Sequence, residues 1–101
     1  MTGEAEAKRA PMAEVRGRTA FITGGANGIG LGIARALVTA GANVVIADIR
    51  ESALDEARAS LGADAQVETV QLDVTDREGY ARAADRAEAR FGAIHMLIGN
   101  A

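Results

Sequence analysis

The sequence predicts an α/β fold in which the strands of one parallel sheet alternate with helices. Short apolar runs that suit strands alternate along the chain with segments of helical periodicity. The second apolar run, residues 43–48, has no polar face, as expected of a strand that helices cover on both sides. A glycine follows each helical segment, where helices commonly end. The order is therefore βαβαβαβ, which requires parallel strands joined by right-handed crossovers.

The individual elements follow from the local pattern. The apolar runs predict strands at residues 19–23, 43–48, 67–72 and 94–98, with helices at 28–40, 51–61 and 76–91. The third strand alternates with polar residues, which is typical of an edge strand. Asp48 or Ser52 is expected to cap the second helix. Four apolar residues of the first helix recur at steps of three or four and predict its buried face: Ile29, Ile33, Leu37 and Ala40.

Composition limits the classes of protein. A chain of 101 residues, 49% hydrophobic and 25% charged, suits one small globular domain. The net charge of −3 and the lack of a basic stripe argue against a nucleic-acid partner. The chain has no cysteine, one histidine and no apolar run of membrane-spanning length, so we expect no metal site, no membrane partner and a cytoplasmic location. Residues 1–16 are polar and contain the single proline, which predicts a disordered tail.

A glycine-rich segment, TGGANGIG at residues 23–30, separates the first strand from the first helix. Helix amino ends present unpaired N–H groups and partial positive charge, so they hold phosphates when no side chain intervenes. Gly24 is expected to allow the tight turn, Gly28 the close approach of a phosphate, and Gly30 the packing of helix on strand. Taken alone, the glycines are also compatible with an ordinary βα turn.

Polar residues follow the ends of the other three strands. Asp48 comes 18 residues after Gly30, where a carboxylate can accept hydrogen bonds from the hydroxyls of an adenosine ribose. Asp73 and Asn100 follow the third and fourth strands. Because the carboxyl ends of parallel strands meet at one edge of the sheet, these residues predict a dinucleotide site there.

These motifs resemble the opening part of the short-chain dehydrogenase/reductase family. Residues 23–30 match that family's T-G-x-x-x-G-x-G at every fixed position. LDVTD at residues 72–76 resembles the segment whose aspartate and valine hold the adenine ring. IGNA at residues 98–101 resembles the family's N-N-A-G, with Gly99 in place of the first asparagine. His95 stands where the family usually carries an aspartate, which leaves open whether a stabilising hydrogen bond of that strand is kept.

The resemblance covers residues 17–101 and implies a Rossmann-type NAD(P)-binding domain with sheet order 3-2-1-4, truncated after the fourth strand. NAD is expected rather than NADP, because the charge of Asp48 repels a 2′-phosphate and Asn27 stands where NADP-preferring relatives often carry a basic residue. Arg50 is the contrary indication, since it can swing toward such a phosphate. The implied cofactor-binding residues are Thr23, Gly24, Asn27, Gly28, Ile29, Gly30, Asp48, Ile49, Asp73, Val74, Asn100 and Ala101.

The family's catalytic tyrosine, with a lysine four residues later, has no counterpart in this sequence. Tyr80 is followed four residues later by Ala84, and the only lysine is Lys8, so Tyr80 is expected to be a surface or packing residue. One interpretation is the cofactor-binding part of an NAD-dependent oxidoreductase whose full-length form acts on alcohols or ketones. The alternatives are a stand-alone or inert nucleotide-binding module and, more remotely, a flavodoxin-like domain. We expect the chain alone to be inactive, to fold poorly and to self-associate through its fourth strand.

The last predicted helix carries a row of arginines, Arg82, Arg86 and Arg90, at steps of four. Such a row resembles a polyanion-binding stripe. The interleaved Asp85 and Glu88 instead predict a solvated outer face with ion pairs inside the helix.

Overall fold

A computed structural model describes residues 15–62 and 66–99. The strands in these ranges form one parallel sheet in the order β3-β2-β1-β4, which confirms the predicted α/β class and strand order. In chain order the elements are β1 (Thr19–Thr23), α1 (Gly28–Thr39), β2 (Asn43–Asp48), α2 (Glu51–Leu61), β3 (Val67–Gln71), α3 (Arg77–Phe91) and β4 (Met96–Gly99).

The core lies on both faces of the two central strands, β1 and β2. Side chains alternate along a strand, so Ile22 and Ile46 pack on the side of α1 and α2, whereas Phe21 and Val45 pack on the side of α3. Because α3 contributes only alanines to its fully buried positions, Phe21 fills the space beneath it. Tyr80 stacks on Phe21 with ring centroids 5.6 Å apart, which is the packing role expected for it.

The start of β1 is joined to the start of β4 through His95. The backbone N–H of Thr19 donates to His95 Nδ1 at 3.0 Å, and the His95 N–H donates to the Thr19 carbonyl at 2.9 Å. The imidazole therefore provides a side-chain hydrogen bond between these strands although an aspartate is absent. Strand pairing begins only with Ala20 and Met96, so the prediction that this strand starts at Ile94 was wrong.

The buried face of α1 agrees with the prediction in part, because Leu37 is fully buried and Ile33 and Ala40 pack against the core. Its fully buried residues are Gly30, Ala34 and Leu37, and Ile29 is 75% exposed. Successive residues of a helix are rotated by about 100° around its axis, so when Gly30 lies on the buried face, Ile29 points away from the core. The prediction that Ile29 faces the core was wrong.

The amino end of α2 also differs from expectation. Its N-cap residue is Arg50, and no side chain makes a capping hydrogen bond there. Asp48 instead accepts a hydrogen bond from the Arg50 N–H at 3.1 Å, just before the helix begins. The predicted cap by Asp48 or Ser52 was therefore wrong.

Arginines close the free edge of the sheet at β3. The Val67 carbonyl accepts hydrogen bonds from Arg58 at 3.0 Å and from Arg90 at 2.8 Å. Arg86 and Arg90 form ion pairs with Glu68 at 3.1 and 3.0 Å. The prediction of an exposed arginine face was right, but that of pairs inside the helix was wrong, because these two arginines reach across to β3. Side chains that occupy edge carbonyls prevent pairing with another strand.

The opposite edge, at β4, has a different character. Met96–Gly99 pairs with β1 on one side, and Leu97 is 64% exposed. No side chain in the described part of the chain donates to a β4 carbonyl except Thr23, whose Oγ1 reaches the Ile98 oxygen at 3.4 Å from the β1 side.

Some predictions concern residues beyond the described ranges. Residues 1–14 of the predicted tail lie outside them, as do Asn100 and Ala101. Val15, the first described residue, is buried and belongs to the core cluster on the side of α1. Across residues 15–62 and 66–99, no helix combines the length and apolar character needed to cross a bilayer.

Candidate functional site

The glycine-rich turn after β1 is fixed against the end of β2. The Gly24 and Gly25 N–H groups both donate to the Ala47 carbonyl, at 2.8 and 3.4 Å. Gly24 has φ +66°, a left-handed conformation that favours glycine and fits the predicted tight turn. Gly25 had no role in the sequence analysis, yet a Cβ there would lie 3.0 Å from the Ile46 side chain. The motif has four glycines and only three were given roles, so the extra glycine was the available signal, and it reflects close packing on the sheet.

The amino end of α1 has no side-chain cap. Asn27 is its N-cap residue in an extended conformation, makes no capping hydrogen bond, and is followed by no acidic residue in the first turn. The first backbone bond of the helix joins the Leu31 N–H to the Asn27 carbonyl at 3.2 Å. The N–H groups of Gly28, Ile29 and Gly30 precede that bond and have no partner within the helix. A Cβ on Gly28, which has φ +59°, would meet open space. This geometry suits a bound anion.

Asp48, at the end of β2, is 9% exposed and held on several sides. Its Oδ1 accepts from the Arg50 N–H at 3.1 Å and lies 3.7 Å from Arg50 Nε. Its backbone carbonyl accepts from the Leu72 N–H at 2.9 Å, which ties the end of β2 to the segment after β3. Both side-chain contacts fall on Oδ1, so within the described part of the chain Oδ2 accepts no hydrogen bond.

Asp73 lies in the turn between β3 and α3, and its side chain is exposed. Its Oδ1 accepts two hydrogen bonds from Thr75, one from the hydroxyl at 2.7 Å and one from the backbone N–H at 2.9 Å. Both bonds favour the ionised carboxylate, and they lower the pKa of Asp73 below its ordinary 3.8. The site therefore presents a charged acceptor at neutral pH.

These segments enclose one cavity of about 310 Å³ at the carboxyl edge of the sheet. This volume falls within the roughly 300–1,000 Å³ of small-molecule sites. Ile49 and Val74, two of its lining residues, are 57% and 44% exposed, which offers apolar surface to a flat ring. The residues that line the cavity are Gly24, Asn27, Ala47, Asp48, Ile49, Leu72, Asp73 and Val74.

The remaining predicted site residues do not line this cavity. Thr23 is buried between β1 and β4. Gly30 is buried in the first turn of α1, which fits close packing on the sheet. Gly28 and Ile29 stand exposed at the helix start, next to the cavity-lining Asn27. The predicted contributions of Asn100 and Ala101 fall outside the described residues.

The chain matches the family model for short chain dehydrogenases over residues 18–101. It belongs to the short-chain dehydrogenase family. This confirms the resemblance seen in the sequence motifs, and the NAD(P) cofactor of that family accords with a dinucleotide site. The Cα-dehydrogenase of Sphingobium is 46% identical over 90 residues, which are 88% of this chain and 30% of that protein. The cis-4-hydroxycyclohexanecarboxylate dehydrogenase of Sinomonas cyclohexanicum is 46% identical over 84 residues, which are 83% of this chain and 34% of that protein.

Solved structures agree with this assignment. The apo form of LigO from Sphingobium superimposes with a TM-score of 0.79 at 46% identity, over 82% of this chain and 32% of that one. The C-domain of a bacterial malonyl-CoA reductase with NADP gives a TM-score of 0.82 at 37% identity, over 89% of this chain and 15% of that one. This short-chain dehydrogenase chain thus corresponds to the N-terminal part of such an oxidoreductase and spans 30–34% of the length of the two curated relatives above.

Proposed function

We propose that this chain is the cofactor-binding portion of an NAD-dependent oxidoreductase, which in full-length form transfers hydride between the cofactor and a small alcohol or carbonyl compound. The observation that carries the proposal is the cavity at the carboxyl edge, where the glycine turn, Asp48 and Asp73 come together. Ligands of open parallel sheets bind in that crevice.

The residues present fit the chemistry of the dinucleotide. The uncapped N–H groups of residues 28–30 suit the pyrophosphate, and the open space at Gly28 permits its approach. Asp48 Oδ2 is available to ribose hydroxyls, and the exposed faces of Ile49 and Val74 suit the adenine ring beside Asp73. When bound, the cofactor supplies a nicotinamide ring that accepts or donates hydride.

NAD is proposed in preference to NADP because of Asp48. A 2′-phosphate carries roughly −1.5 to −2 charges at neutral pH, and the nearly buried Asp48 carboxylate repels it. Arg50 offsets part of this repulsion, since its Nε lies 3.7 Å from Asp48 Oδ1. Because Arg50 is 54% exposed, water screens its charge and its interaction contributes at most about 1 kcal/mol, so the nearly buried carboxylate dominates.

Calorimetric titration of the purified chain with NADH and NADPH tests this proposal. We expect saturable binding of NADH, weakened about tenfold in Asp48→Ala, since a hydrogen bond to a charged group contributes roughly 1.5–3 kcal/mol. The same substitution should reduce the ratio by which the chain prefers NADH to NADPH. Asp55→Ala, on the exposed face of α2, is the matched control and should change neither affinity. Absent binding, or equal affinities in Asp48→Ala and the native chain, would contradict the assignment.

A second candidate function is dinucleotide binding without catalysis by this chain. It is supported by Tyr80, which is half-buried and stacks on Phe21, and which has Ala84 four residues later. NADH-linked turnover on a panel of alcohols and ketones, measured with this chain joined to the C-terminal part of a relative, separates the two candidates. Turnover that Asp48→Ala abolishes would exclude the second one.

Self-association through β4 is the proposed behaviour of the isolated chain. Its support is the contrast between the β3 edge, where Arg58 and Arg90 occupy the Val67 carbonyl, and the β4 edge, where Leu97 is exposed. Sedimentation velocity should show oligomers that Leu97→Lys reduces. Gln71→Lys at the β3 edge is the control and should leave the distribution unchanged. A monodisperse native monomer would refute this behaviour.

A further inference from the structure

A second cavity, of about 330 Å³, lies between β3 and the first turns of α3. It adjoins the dinucleotide cavity, because Leu72 and Asp73 line both, but Asp73 is the one residue that it shares with the proposed cofactor contacts. Charged side chains of both signs line it, namely Asp73, Asp76, Arg82 and Arg86. The formal charges of this lining cancel, which distinguishes the cavity from a site for a simple anion or a simple cation.

We propose that this cavity binds a small zwitterion of the free α-amino acid class, with its carboxylate on Arg82 and its ammonium group on Asp76. The proposed function gives neither side chain a role, so the site is independent of it. The ligand carries a short side chain, because Val70 and Ala83 on the cavity wall are only 8% and 3% exposed and offer little apolar surface.

The Arg82 and Asp76 side chains are close together but form no hydrogen bond with each other. Arg82 Nη2 lies 3.9 Å from Asp76 Oδ2, which is beyond hydrogen-bonding distance. Within residues 15–62 and 66–99, the Arg82 guanidinium donates no hydrogen bond and Asp76 Oδ2 accepts none. Both side chains are more than half exposed, so their ion pair contributes little to stability, and a ligand that inserts between them loses little.

Arg82 differs from the other two arginines of its row in having no partner on the sheet. Arg86 and Arg90 form ion pairs with Glu68 on β3 at 3.1 and 3.0 Å. Residues four apart lie on the same face of a helix, and Arg82 and Arg86 both line the cavity. A guanidinium carries five N–H donors in a planar fork that fits a carboxylate. Arg82 therefore holds the ligand carboxylate, and Arg86 adds positive potential beside it.

Gly79 leaves room for the Asp76 carboxylate in the cavity wall. Asp76 Oδ1 accepts the Gly79 N–H at 3.1 Å, and a Cβ on Gly79 would lie 2.7 Å from Oδ2. A glycine within a helix is less stabilising than an alanine, and here its missing side chain is the space next to Oδ2. The cap thus fixes one carboxylate oxygen and leaves the other to accept a hydrogen bond from an ammonium group in the cavity.

Titration of the isotopically labelled chain with alanine tests this proposal. Propionate and ethylamine are the matched ligands, since the first lacks the ammonium group of alanine and the second lacks its carboxylate. Alanine should shift the amide resonances of Gly79 and Ala83 saturably at millimolar concentration and leave those of Gly24 and Asn27, in the dinucleotide cavity, in place. Propionate and ethylamine should each bind about tenfold more weakly, because each loses one charge-assisted hydrogen bond.

Two variants that preserve the helix cap separate binding from folding. Asp76→Asn keeps a capping oxygen but removes the charge, and it should weaken alanine binding about tenfold. Arg82→Gln should weaken it by a similar factor. Glu78→Gln and Arg77→Gln remove charges from exposed positions of α3 outside the cavity, and these matched controls should bind alanine as the native chain does.

The outcomes that overturn the proposal are equally specific. They are no saturable shift with alanine, equal affinity for alanine and propionate, or shifts that fall in the dinucleotide cavity instead. Native affinity in both Asp76→Asn and Arg82→Gln, or an equal loss in the two control variants, also overturns it.

Discussion

Two helices begin at the carboxyl edge of the same sheet, and their amino ends are built differently. At α3, Asp76 accepts the Gly79 N–H at 3.1 Å and Glu78 adds negative charge in the first turn. At α1, Asn27 makes no capping bond and the first turn has no acidic residue. The amino end of α3 is thus satisfied by its own chain, whereas that of α1 keeps its N–H groups and positive potential for another partner.

The difference shows that one helix end can contribute to stability while a similar one is available for binding. A missing cap costs a helix about 1 kcal/mol. Helix α1 tolerates this cost because Ala34 and Leu37 are buried against the sheet, and most helical stability in proteins comes from such packing. Under the proposed function, the N–H groups left over are those that hold the pyrophosphate.

Placing a charge at the open helix end should have the largest effect. Asn27→Asp puts a carboxylate about 4 Å from the proposed pyrophosphate, a repulsion of roughly 1–4 kcal/mol, so NADH affinity should fall tenfold or more. The melting temperature should not fall, since a negative charge at a helix amino end stabilises it by about 0.3–1 kcal/mol. Asn27→Ser is the neutral control and should keep the affinity in calorimetry. Equal affinity in both variants would contradict the proposed anion site.

The two glycines of α1 that face open space should respond in opposite directions to alanine. Gly28→Ala forces a side chain into φ +59°, at a cost of about 1–2 kcal/mol, and should lower both the melting temperature and NADH affinity. Gly32 lies inside the helix with no neighbour within 4 Å of an added Cβ and without a positive φ. Gly32→Ala should therefore raise stability by about 0.5–1 kcal/mol. Equal decreases in the melting temperatures of Gly28→Ala and Gly32→Ala would refute the role given to the Gly28 backbone.

Removal of the α3 cap should affect stability alone. Asp76→Ala leaves the Gly79 N–H without its acceptor and should cost about 1 kcal/mol in urea unfolding, with unchanged NADH affinity. Asp76→Ser restores a capping oxygen and should recover most of the loss. A marked fall in NADH affinity would show that the amino end of α3 affects cofactor binding, which would contradict the separate roles given to the two helix ends.

The smallest effect is expected from pH. The Thr75 hydrogen bonds lower the pKa of Asp73, so their stabilising contribution is present above pH 3.8 and is lost as the pH falls through the folded-state pKa. Thr75→Val removes the hydroxyl bond, which is the larger cause, and should raise the pKa of Asp73 toward 3.8. Carboxyl resonances followed by NMR through acid titration measure this directly. An unchanged Asp73 titration in the variant would show that the hydroxyl bond does not form in solution.

The local elements were predictable because each depends on neighbouring residues. Apolar runs placed β1 and β2 at their observed bounds, and the alternation of β3 gave its edge position. The errors arose where a partner distant in sequence decides. The His95 side chain accepts a hydrogen bond from the Thr19 N–H, and β4 begins at Met96, two residues after the predicted start. Arg86 and Arg90 form ion pairs with Glu68 on β3 instead of with acidic residues of their own helix.

The candidate site shows the same division. The spacing of the glycines, Asp48 and Asp73 determined that a phosphate-binding turn and two carboxylates follow the strands of one sheet, because side-chain type and chain order are local facts. Only the tertiary structure decided that Gly25 must lack a side chain beneath Ile46 and that Ile29 is exposed rather than buried. These depend on distances between segments and on helix rotation about its axis, which packing sets and no local pattern encodes.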